Sequence, residues 1–524
     1  MIGKFFFLIP LWVATAELRY SNTIGDNAVV EPGSWLWGLG DVGDTISSTV
    51  GDVKLSDAVV GSDNVWRQQL PMIEPSLDPK TIVSSSSSSS SSTISLKNIL
   101  FGKVILCSGQ SNIDTIVVDS VYNNTAELAT ADQFPNIRIF IVMNSQDDGH
   151  PSSPSLDLES SPLQPWAEPT SENLKFYSAL CWYTAKDLFL SLDSKVPVGA
   201  IQSAQGGTAI RNWCPNESLA ECPQPSNNAG PGDHAAYNMA GLFNGMIAPF
   251  TTGPTKLSFV VWDQAESDSS PQTPFGYYGC QSVSQINSWR RWFVQPTLPW
   301  IFVHLQPYTD TVSGQAPNNL EIGSALPEHR AAQLQALQLP NVYYASAIDL
   351  GDPLSPAMNV HFRNKKVLAE RVIGAVLKKH EQPPKFLSQQ VYTEAKVLRA
   401  VITFSSGGDG ELFFGNTTDP IGQSSKDCPS IATDAGIVCR AFEIQTNDGS
   451  FHEAKAYLTD DGKGIVLEAE LNDGDITNGA YAVGSRYAWS SWPLAILFGG
   501  EDGLPVLPFQ QSVNRPSPEM AVIE

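Results

Sequence analysis

Short apolar runs alternate with helical patterns through the middle of the chain, roughly from residue 100 to residue 382. The apolar runs, which are bounded by turn residues, lie at 104–107, 137–143, 196–202, 257–262, 301–305 and 342–348. The helical patterns cover 176–192, 280–293, 328–337 and 362–380. Strands without internal polar alternation, separated by helices, are typical of a parallel sheet covered on both faces. The pattern therefore predicts an α/β fold with an α/β/α sandwich at 100–382.

The segments on either side of this layer carry different patterns. Residues 17–99 are rich in Gly, Asp, Ser and Pro with weak strand signals, and we expect a β-rich segment there. For the nine serines at 84–92 we expect a mobile loop, because serine has no apolar side chain to bury. Residues 383–524 show strand-like alternation, in which Ile465 and Leu467 point one way and Val466 the other. This alternation predicts a C-terminal β-sandwich.

Residues 1–16 have the layout of a cleavable signal peptide. Lys4 precedes an apolar run at 5–13, and Ala14-Thr15-Ala16 supplies the small residues of a cleavage site. The alternative, a buried N-terminal segment, fits less well because of those small residues, and the run is shorter than the roughly 20 residues that span a bilayer. We expect a mature chain from Glu17 that is secreted or lysosomal and has no membrane span.

The cysteines agree with an oxidising compartment. All seven lie after residue 16, and an odd number leaves at least one outside intrachain disulfides. The expected local disulfides, which flank loops of Pro, Asn, Ser and Gly, are Cys214–Cys222 and Cys428–Cys439. For Cys107 in an apolar strand and Cys181 in an amphipathic helix we expect buried thiols. Possible N-glycosylation sites are Asn123, Asn216 and Asn416.

Composition narrows the function classes. The 524 residues include 31 Lys+Arg and 54 Asp+Glu, which gives a net charge of −23. A hydrophobic share of 42% is enough for a large core and excludes a mainly disordered chain. The negative charge argues against sequence-independent binding of nucleic acid and against anionic membrane surfaces.

Chemically useful side chains follow four of the predicted strands. In an open parallel sheet, ligands bind outside the carboxyl ends of the strands. The segments found there are Ser108-Gly109-Gln110-Ser111-Asn112, Ala204-Gln205-Gly206-Gly207-Thr208, Asp263-Gln264-Ala265-Glu266, and the stretch from Asp349 through Asp352 to His361. A hydroxyl, glycines, an amide, carboxylates and an imidazole on one edge are the groups needed for acyl transfer through a serine nucleophile.

Each group has a physical task in such a reaction. Ser111 is the expected nucleophile and His361 the base that takes its proton. The tetrahedral intermediate needs donors for its oxyanion, and the candidates are the backbone N–H groups of Ser111, Gly206 and Gly207 and the side-chain amide of Gln264. A carboxylate that orients the imidazole is expected among Glu266, Asp352 and Asp349.

These segments resemble the motif blocks of sialate O-acetylesterases, within the SGNH hydrolase superfamily. The matching segments are 106–112, 205–210 with Trp213, 262–267, and 359–361 with Asn364 and Lys365. Further likeness, in order along nearly the whole mature chain, is found at 176–182, 242–247, 288–290, 349–352, 486–489 and 503–505. The resemblance implies removal of O-acetyl groups from sialic acids without a metal or organic cofactor. It implies Ser111 as nucleophile, His361 as base, and Gly207 and Gln264 in the oxyanion hole.

The chain departs from the family pattern at three positions. Ala265 stands where glycine is usual, and Phe362 stands where proline is usual. Met358 occupies the position three before the histidine, where many SGNH hydrolases have aspartate. Because of the third departure, three alternatives stay open: Glu266 as the acidic member of the triad, Asp352 in that role, or a Ser–His dyad without an acid.

The sequence also leaves the identity of the substrate open. Arg211 is the candidate for binding the carboxylate of a sialic acid, although an exposed surface ion pair is an equally good interpretation. Asn112 is a second candidate substrate contact. Two other functions remain open: an esterase that deacetylates neutral polysaccharides such as acetylxylan, and a glycan-binding protein in which Ala265 and Phe362 mark a decayed site.

Overall fold

A computed structural model describes most of the chain. The described residues are 17–87, 93–120, 124–143, 152–222, 239–269, 275–309, 326–377, 384–405, 410–417, 424–434, 437–500 and 502–513. The expected signal peptide, Asn123 and residues 88–92 of the serine run lie outside them.

The N-terminal segment consists of strands in two sheets. The strands are β1 (Arg19–Tyr20), β2 (Val29–Val30), β3 (Trp35–Leu39), β4 (Thr45–Val50), β5 (Val53–Lys54), β6 (Ala58–Val59), β7 (Val65–Gln69), β8 (Ser76–Ser86) and β9 (Thr93–Phe101). One sheet has the order β1-β3-β7, the other β2-β9-β8-β4-β5 with β6 beside β4. The expectation of a loop at 84–92 is wrong for residues 84–86, which end β8. Ser84 is buried and its hydroxyl lies 2.6 Å from that of Ser48, so cross-strand hydrogen bonds replace apolar burial.

This segment shares a core with the central layer. Leu36, Trp66 and Phe101 belong to the same buried apolar cluster as Phe140 and Trp262 of the central sheet. The N-terminal strands therefore cover part of the layer and do not form a separate globular unit.

The central sheet has seven strands among the described residues. They are β10 (Lys103–Gly109), β11 (Ile137–Ile141), β12 (Gln164–Ala167), β13 (Val198–Ala204), β14 (Phe259–Asp263), β15 (Trp300–His304) and β16 (Val342–Ser346). Their order is β12-β11-β13-β10-β14-β15-β16, and all pair in parallel except β12, which runs antiparallel to β11 at the edge. The six predicted strands are confirmed within a few residues. Strand β12 was not predicted because it is short and only Trp166 in it is buried.

Helices cover both faces of this sheet, as the sequence pattern predicts. They are α1 (Ser111–Asp114), α2 (Asn124–Ala129), α3 (Ser171–Leu174), α4 (Ala179–Ser191), α5 (Asn216–Glu221), α6 (Phe275–Trp292), α7 (Leu326–Gln333) and α8 (Lys365–Val376). Apolar side chains of α4 and α8 pack into one core and those of α6 into the other. Side-chain caps define two helix starts, since Ser178 accepts from the Cys181 amide at 3.1 Å and Asn364 from the Val367 amide at 3.4 Å.

Disulfides correct two of the cysteine expectations. The bonds are Cys107–Cys181, Cys222–Cys280 and Cys428–Cys439, the last as expected. The expected thiols at Cys107 and Cys181 are wrong because β10 and α4 bring their Cα atoms to 5.9 Å. The expected Cys214–Cys222 bond is also wrong: α5 packs on α6, so Cys222 meets Cys280 instead. Cys214 is a buried free thiol.

The C-terminal part is the expected β-sandwich. Its strands are β17 (Phe386–Glu394), β18 (Val397–Phe404), β19 (Phe413–Phe414), β20 (Phe442–Thr446), β21 (Phe451–Glu453), β22 (Lys455–Leu458), β23 (Gly464–Glu470), β24 (Ala482–Tyr487), β25 (Leu497–Gly499), β26 (Leu504–Pro505) and β27 (Phe509–Ser512), with short helices α9 (Ser430–Asp434) and α10 (Asp473–Thr477). Two antiparallel sheets, β17-β18-β23-β22 and β21-β20-β24-β27, enclose a shared core, and β19-β25-β26 form a third sheet. Ile465 and Leu467 are fully buried in that core, which confirms the alternation in the sequence.

Hydrogen bonds from two side chains fix the sandwich to the central layer. The Arg330 guanidinium, on α7, donates to the carbonyl oxygens of Ser490 at 2.7 Å and Ser491 at 3.1 Å. The Thr417 hydroxyl donates to the Asp349 carboxylate at 2.5 Å. The sandwich thus braces the segment after β16 that leads to His361.

Candidate active site

The loop after β10 places Ser111 at the carboxyl edge of the sheet. Gly109 ends that strand with a φ of 139°, and a Cβ there would lie 2.1 Å from the Asp263 carbonyl oxygen. Only glycine permits this close approach of β10 and β14. Ser111 begins α1, so its backbone N–H has no acceptor within that helix.

The hydroxyl of Ser111 meets the imidazole of His361. The distance from Ser111 Oγ to His361 Nε2 is 2.8 Å, although 250 positions separate the two residues in the sequence. His361 lies between β16 and α8, the predicted location, and its side chain is partly exposed. This contact suits transfer of the serine proton to the imidazole.

A backbone carbonyl holds the other side of the imidazole ring. His361 Nδ1 lies 2.5 Å from the Ala357 carbonyl oxygen, which has no proton to donate. The hydrogen bond therefore requires a proton on Nδ1, which leaves Nε2 as the acceptor that faces Ser111. The backbone turns at Met358, where φ is 70° and the carbonyl accepts the His361 amide at 3.0 Å.

The three carboxylates considered for the triad contact other groups. Asp352 forms a two-pronged ion pair with Arg363, at 2.5 and 2.8 Å. Asp349 is paired in the same way with Arg371, at 2.6 and 2.7 Å. Glu266 accepts hydrogen bonds from Asn112 and, at 3.2 Å, from Gln306. The expectation of an acidic triad member at Glu266, Asp352 or Asp349 is therefore corrected, and the geometry is that of a Ser–His dyad.

The amide of Gln264 is committed to a buried network. Its Nε2 atom donates to Asp268 at 2.7 Å, to the Thr208 carbonyl at 3.0 Å and to Gln110 Oε1 at 3.1 Å. The side chain is fully buried, and its oxygen accepts from the Tyr278 hydroxyl. The expectation that Gln264 donates to an oxyanion is therefore corrected, because its amide N–H groups already have protein acceptors. Gln264 instead ties together the loops that carry Ser111 and the glycine pair.

The glycine pair lies beside the nucleophile. A Cβ built on Gly206 would lie 3.4 Å from the Ser111 Cβ, and Gly207 has a φ of 71°. The Gln205 amide donates to the Gly109 carbonyl at 3.1 Å, which fixes this turn to the end of β10. The backbone N–H groups of Ser111, Gly206 and Gly207 remain the candidates for an oxyanion hole.

Asn112 is buried beneath the site and is not a substrate contact. Its Nδ2 atom donates to the Val360 carbonyl at 2.9 Å and to Glu266, and its Oδ1 atom accepts from Lys365 at 2.7 Å. The expectation that Asn112 binds substrate is therefore wrong. Sequence reasoning missed this role because a polar residue next to a nucleophile is as compatible with a buried network as with a ligand.

Arg211 lies in the turn Ile210–Trp213 and is partly buried. Its charge acts on Asp268. Burial raises the pKa of that carboxyl to about 6, while the hydrogen bond from Gln264 and the charge of Arg211 lower it. An acidic neighbour offsets part of the attraction of Arg211 for an anionic substrate. Its expected contact with a sialic acid carboxylate stays a prediction.

Buried charges lie directly under the nucleophile loop. Burial raises the pKa of Asp263 to about 7, and the positive charge of Lys365 opposes this shift. Burial lowers the pKa of Lys365 to about 8, and the negative charge of Asp263 opposes that shift.

Within the described ranges, no three His, Cys, Asp or Glu residues are grouped to hold a metal ion. No helix in those ranges is long and apolar enough to cross a membrane.

Comparison with known proteins gives the family of the chain. Residues 102–378 match the model of a family described as carbohydrate esterase, sialic acid-specific acetylesterase. The chain belongs to this family. This esterase is 29% identical over 402 residues to the sialate O-acetylesterases of Pongo abelii and Homo sapiens, covering 70% of its own chain and 72% of theirs. The rat enzyme of the same name is 27% identical over 418 residues.

The fold of this esterase is also found in a solved structure. A carbohydrate acetylesterase from Xanthomonas citri superimposes with a TM-score of 0.73 at 23% identity, over 94% of this chain and 99% of that one. The superposition spans the β-rich flanks as well as the central layer, which confirms the predicted fold class.

Proposed function

We propose that this esterase removes O-acetyl groups from sialic acids, with Ser111 as nucleophile and His361 as base. The observation that carries the proposal is the 2.8 Å contact between Ser111 Oγ and His361 Nε2 at the carboxyl edge of a carbohydrate esterase sheet. The family description and the names of the mammalian relatives support sialic acid as the sugar.

The reaction has two halves. In the first, Ser111 Oγ attacks the acetyl carbonyl while its proton moves to His361 Nε2, and the sugar oxygen leaves with that proton. In the second, His361 takes a proton from water as the water attacks the acetyl-serine, and it returns that proton to Ser111 Oγ as the bond to the acetyl group breaks and acetate leaves. Backbone N–H groups of Ser111 and Gly206 or Gly207 would stabilise the oxyanion in both halves. The Ala357 carbonyl keeps the imidazole in the required tautomer throughout.

Acetate release from p-nitrophenyl acetate tests the enzyme class. Ser111→Ala should reduce it by about three orders of magnitude or more, because the nucleophile is lost. Ser267→Ala, at a serine whose backbone N–H donates to Gln110 Oε1 at 3.3 Å, is the matched control and should retain activity. A folded wild-type protein that releases no acetate would favour the glycan-binding alternative.

The sugar is tested by comparing O-acetylated sialic acid with acetylxylan. We expect higher kcat/KM on the sialic acid, and Arg211→Ala should raise KM for this anionic substrate but leave KM for p-nitrophenyl acetate unchanged. Higher kcat/KM on acetylxylan would instead support the neutral-polysaccharide alternative.

We infer that the protein follows the secretory route to the cell exterior or a lysosome. Its three disulfides are typical of oxidising compartments. The sequon residues Asn216 and Asn416 are exposed, so both are open to glycosylation. Enzymatic removal of N-glycans should lower the apparent mass of the protein made in a eukaryotic host. Asn216→Gln and Asn416→Gln should each reduce that loss of mass by the mass of one glycan.

A further inference from the structure

We infer that Lys365 is a positioning residue for His361 and that it acts through the side-chain amide of Asn112. The inference rests on the proposed function, since it concerns the alignment of the same two reacting atoms. Lys365 is the first residue of α8, fully buried below Ser111.

The first step is the contact between the ammonium and the amide. Lys365 Nζ donates to Asn112 Oδ1 at 2.7 Å, and both side chains are completely buried. An ammonium group can only donate, so it fixes the oxygen of the amide toward Lys365. The amide nitrogen must then point the other way, toward the Val360 carbonyl.

The second step is the contact between that amide and the histidine segment. Asn112 Nδ2 lies 2.9 Å from the Val360 carbonyl oxygen, which also accepts from Gln306 Nε2 at 2.9 Å. Asn112 follows Ser111, and Val360 precedes His361. One buried amide therefore joins the two backbone segments that carry the reacting atoms, where a displacement of about 1 Å costs roughly 100-fold in rate.

Further contacts hold the ammonium in place. Lys365 Nζ lies 3.5 Å from the centre of the Phe362 ring, a cation–π contact that the family's usual proline could not make. Asp263, Glu266 and Asp352 stabilise the charge electrostatically. Phe362 thus contributes to the buried network, in contrast to the interpretation of this residue as a mark of a decayed site.

A simpler role has to be separated from this one. Asp263 is fully buried, and neither of its carboxylate oxygens has a hydrogen-bond partner among the described residues. Lys365 as a mere counter-ion of Asp263 would stabilise the fold without aligning His361. The two roles predict different results for one pair of variants.

The decisive comparison is between the single variant Lys365→Met and the double variant Asp263→Asn/Lys365→Met. The single variant leaves a buried carboxylate without its cation, so it should lose both stability and kcat. The double variant removes both charges and should recover Tm, but kcat on p-nitrophenyl acetate should stay about 100-fold low with KM within threefold of wild type. Recovery of kcat together with Tm would overturn the inference.

A double-mutant cycle tests whether Lys365 acts through Asn112. The cycle is built on Asp263→Asn, so that no variant leaves the Asp263 carboxylate without its cation. In that background Asn112→Leu should lower kcat by about the same factor as Lys365→Met, and Lys365→Met/Asn112→Leu should be no slower than Asn112→Leu alone. Multiplicative losses would show independent roles and overturn the inference. Wild-type acetate release is measured in the same series, so failure of the proposed function appears separately, as an inactive wild type.

Discussion

The carbonyl oxygen of Ala357 lies 2.5 Å from Nδ1 of His361, where a Ser-His-Asp triad has a carboxylate. A carbonyl fixes the same tautomer as a carboxylate does, because both accept the Nδ1 proton. It has no full negative charge, so it stabilises the imidazolium less in the transition state. Orientation of His361 in this esterase thus depends on the backbone between β16 and α8.

Asp352→Asn should affect stability more than catalysis. The carboxylate pairs with Arg363 and accepts the Arg363 amide at 3.1 Å, and it does not contact His361. We expect kcat on p-nitrophenyl acetate to fall less than tenfold and Tm to fall, whereas removal of a triad aspartate costs about 10⁴-fold. A loss of that size with Tm unchanged would restore Asp352 as the triad acid.

Met358 should control the position of the Ala357 carbonyl. Its φ of 70° is a left-handed conformation that asparagine tolerates and a β-branched residue does not. Met358→Asn should therefore keep kcat and keep or raise Tm, while Met358→Val should shift the turn and lower kcat by about tenfold or more. Equal activity of the two variants, measured on p-nitrophenyl acetate, would show that this turn does not orient His361.

The sequence predicted the elements but not the side-chain partners. Ser111 and His361 could be located because strand ends in a parallel sheet converge on one edge. The orienting group could not, since a backbone carbonyl leaves no trace in the residue type at 357. Arg363 and Arg371 follow His361 in the sequence, yet only the packing of α8 and of the turn before it shows that they neutralise Asp352 and Asp349.

Buried amides were misassigned for a related reason. Gln264 and Asn112 have the donors that an active site needs, and the resemblance or their location favoured substrate-directed roles. The structure gives each of them protein acceptors, and burial makes such pairing necessary. A donor beside a nucleophile can be assigned only when its own hydrogen-bond partners are known.

A half-buried carboxyl on α4 should make stability depend on pH. Burial and the negative charge of Glu370 raise the pKa of Asp187 to about 6, while Lys366 and Lys186 oppose the shift and Glu127 adds to it. The folded state thus binds this proton more tightly than the unfolded chain, whose pKa is near 3.8. The stabilisation is complete below the unfolded pKa and is lost as pH rises through about 6.

Asp187→Asn should remove this dependence. We expect the variant to raise Tm at about pH 7.5, by about 1–3 °C, and to change it less at about pH 4.5, where the native carboxyl is protonated. Asp132→Asn, at an exposed position, is the matched control. The same Tm gain at both pH values, measured by differential scanning fluorimetry, would contradict a raised pKa in the folded state.

Gly109→Ala should abolish the site by separating two strands, whereas Gly206→Ala should be tolerated. A Cβ at Gly109 would lie 2.1 Å from the Asp263 carbonyl oxygen, so β10 and β14 would have to move apart below Ser111. At Gly206 the new methyl group would lie 3.4 Å from the Ser111 Cβ, an ordinary contact. We expect Gly109→Ala to lower Tm strongly and release no acetate, and Gly206→Ala to keep Tm with at most about a tenfold loss of kcat. A stable, active Gly109→Ala protein would contradict this account of the strand spacing.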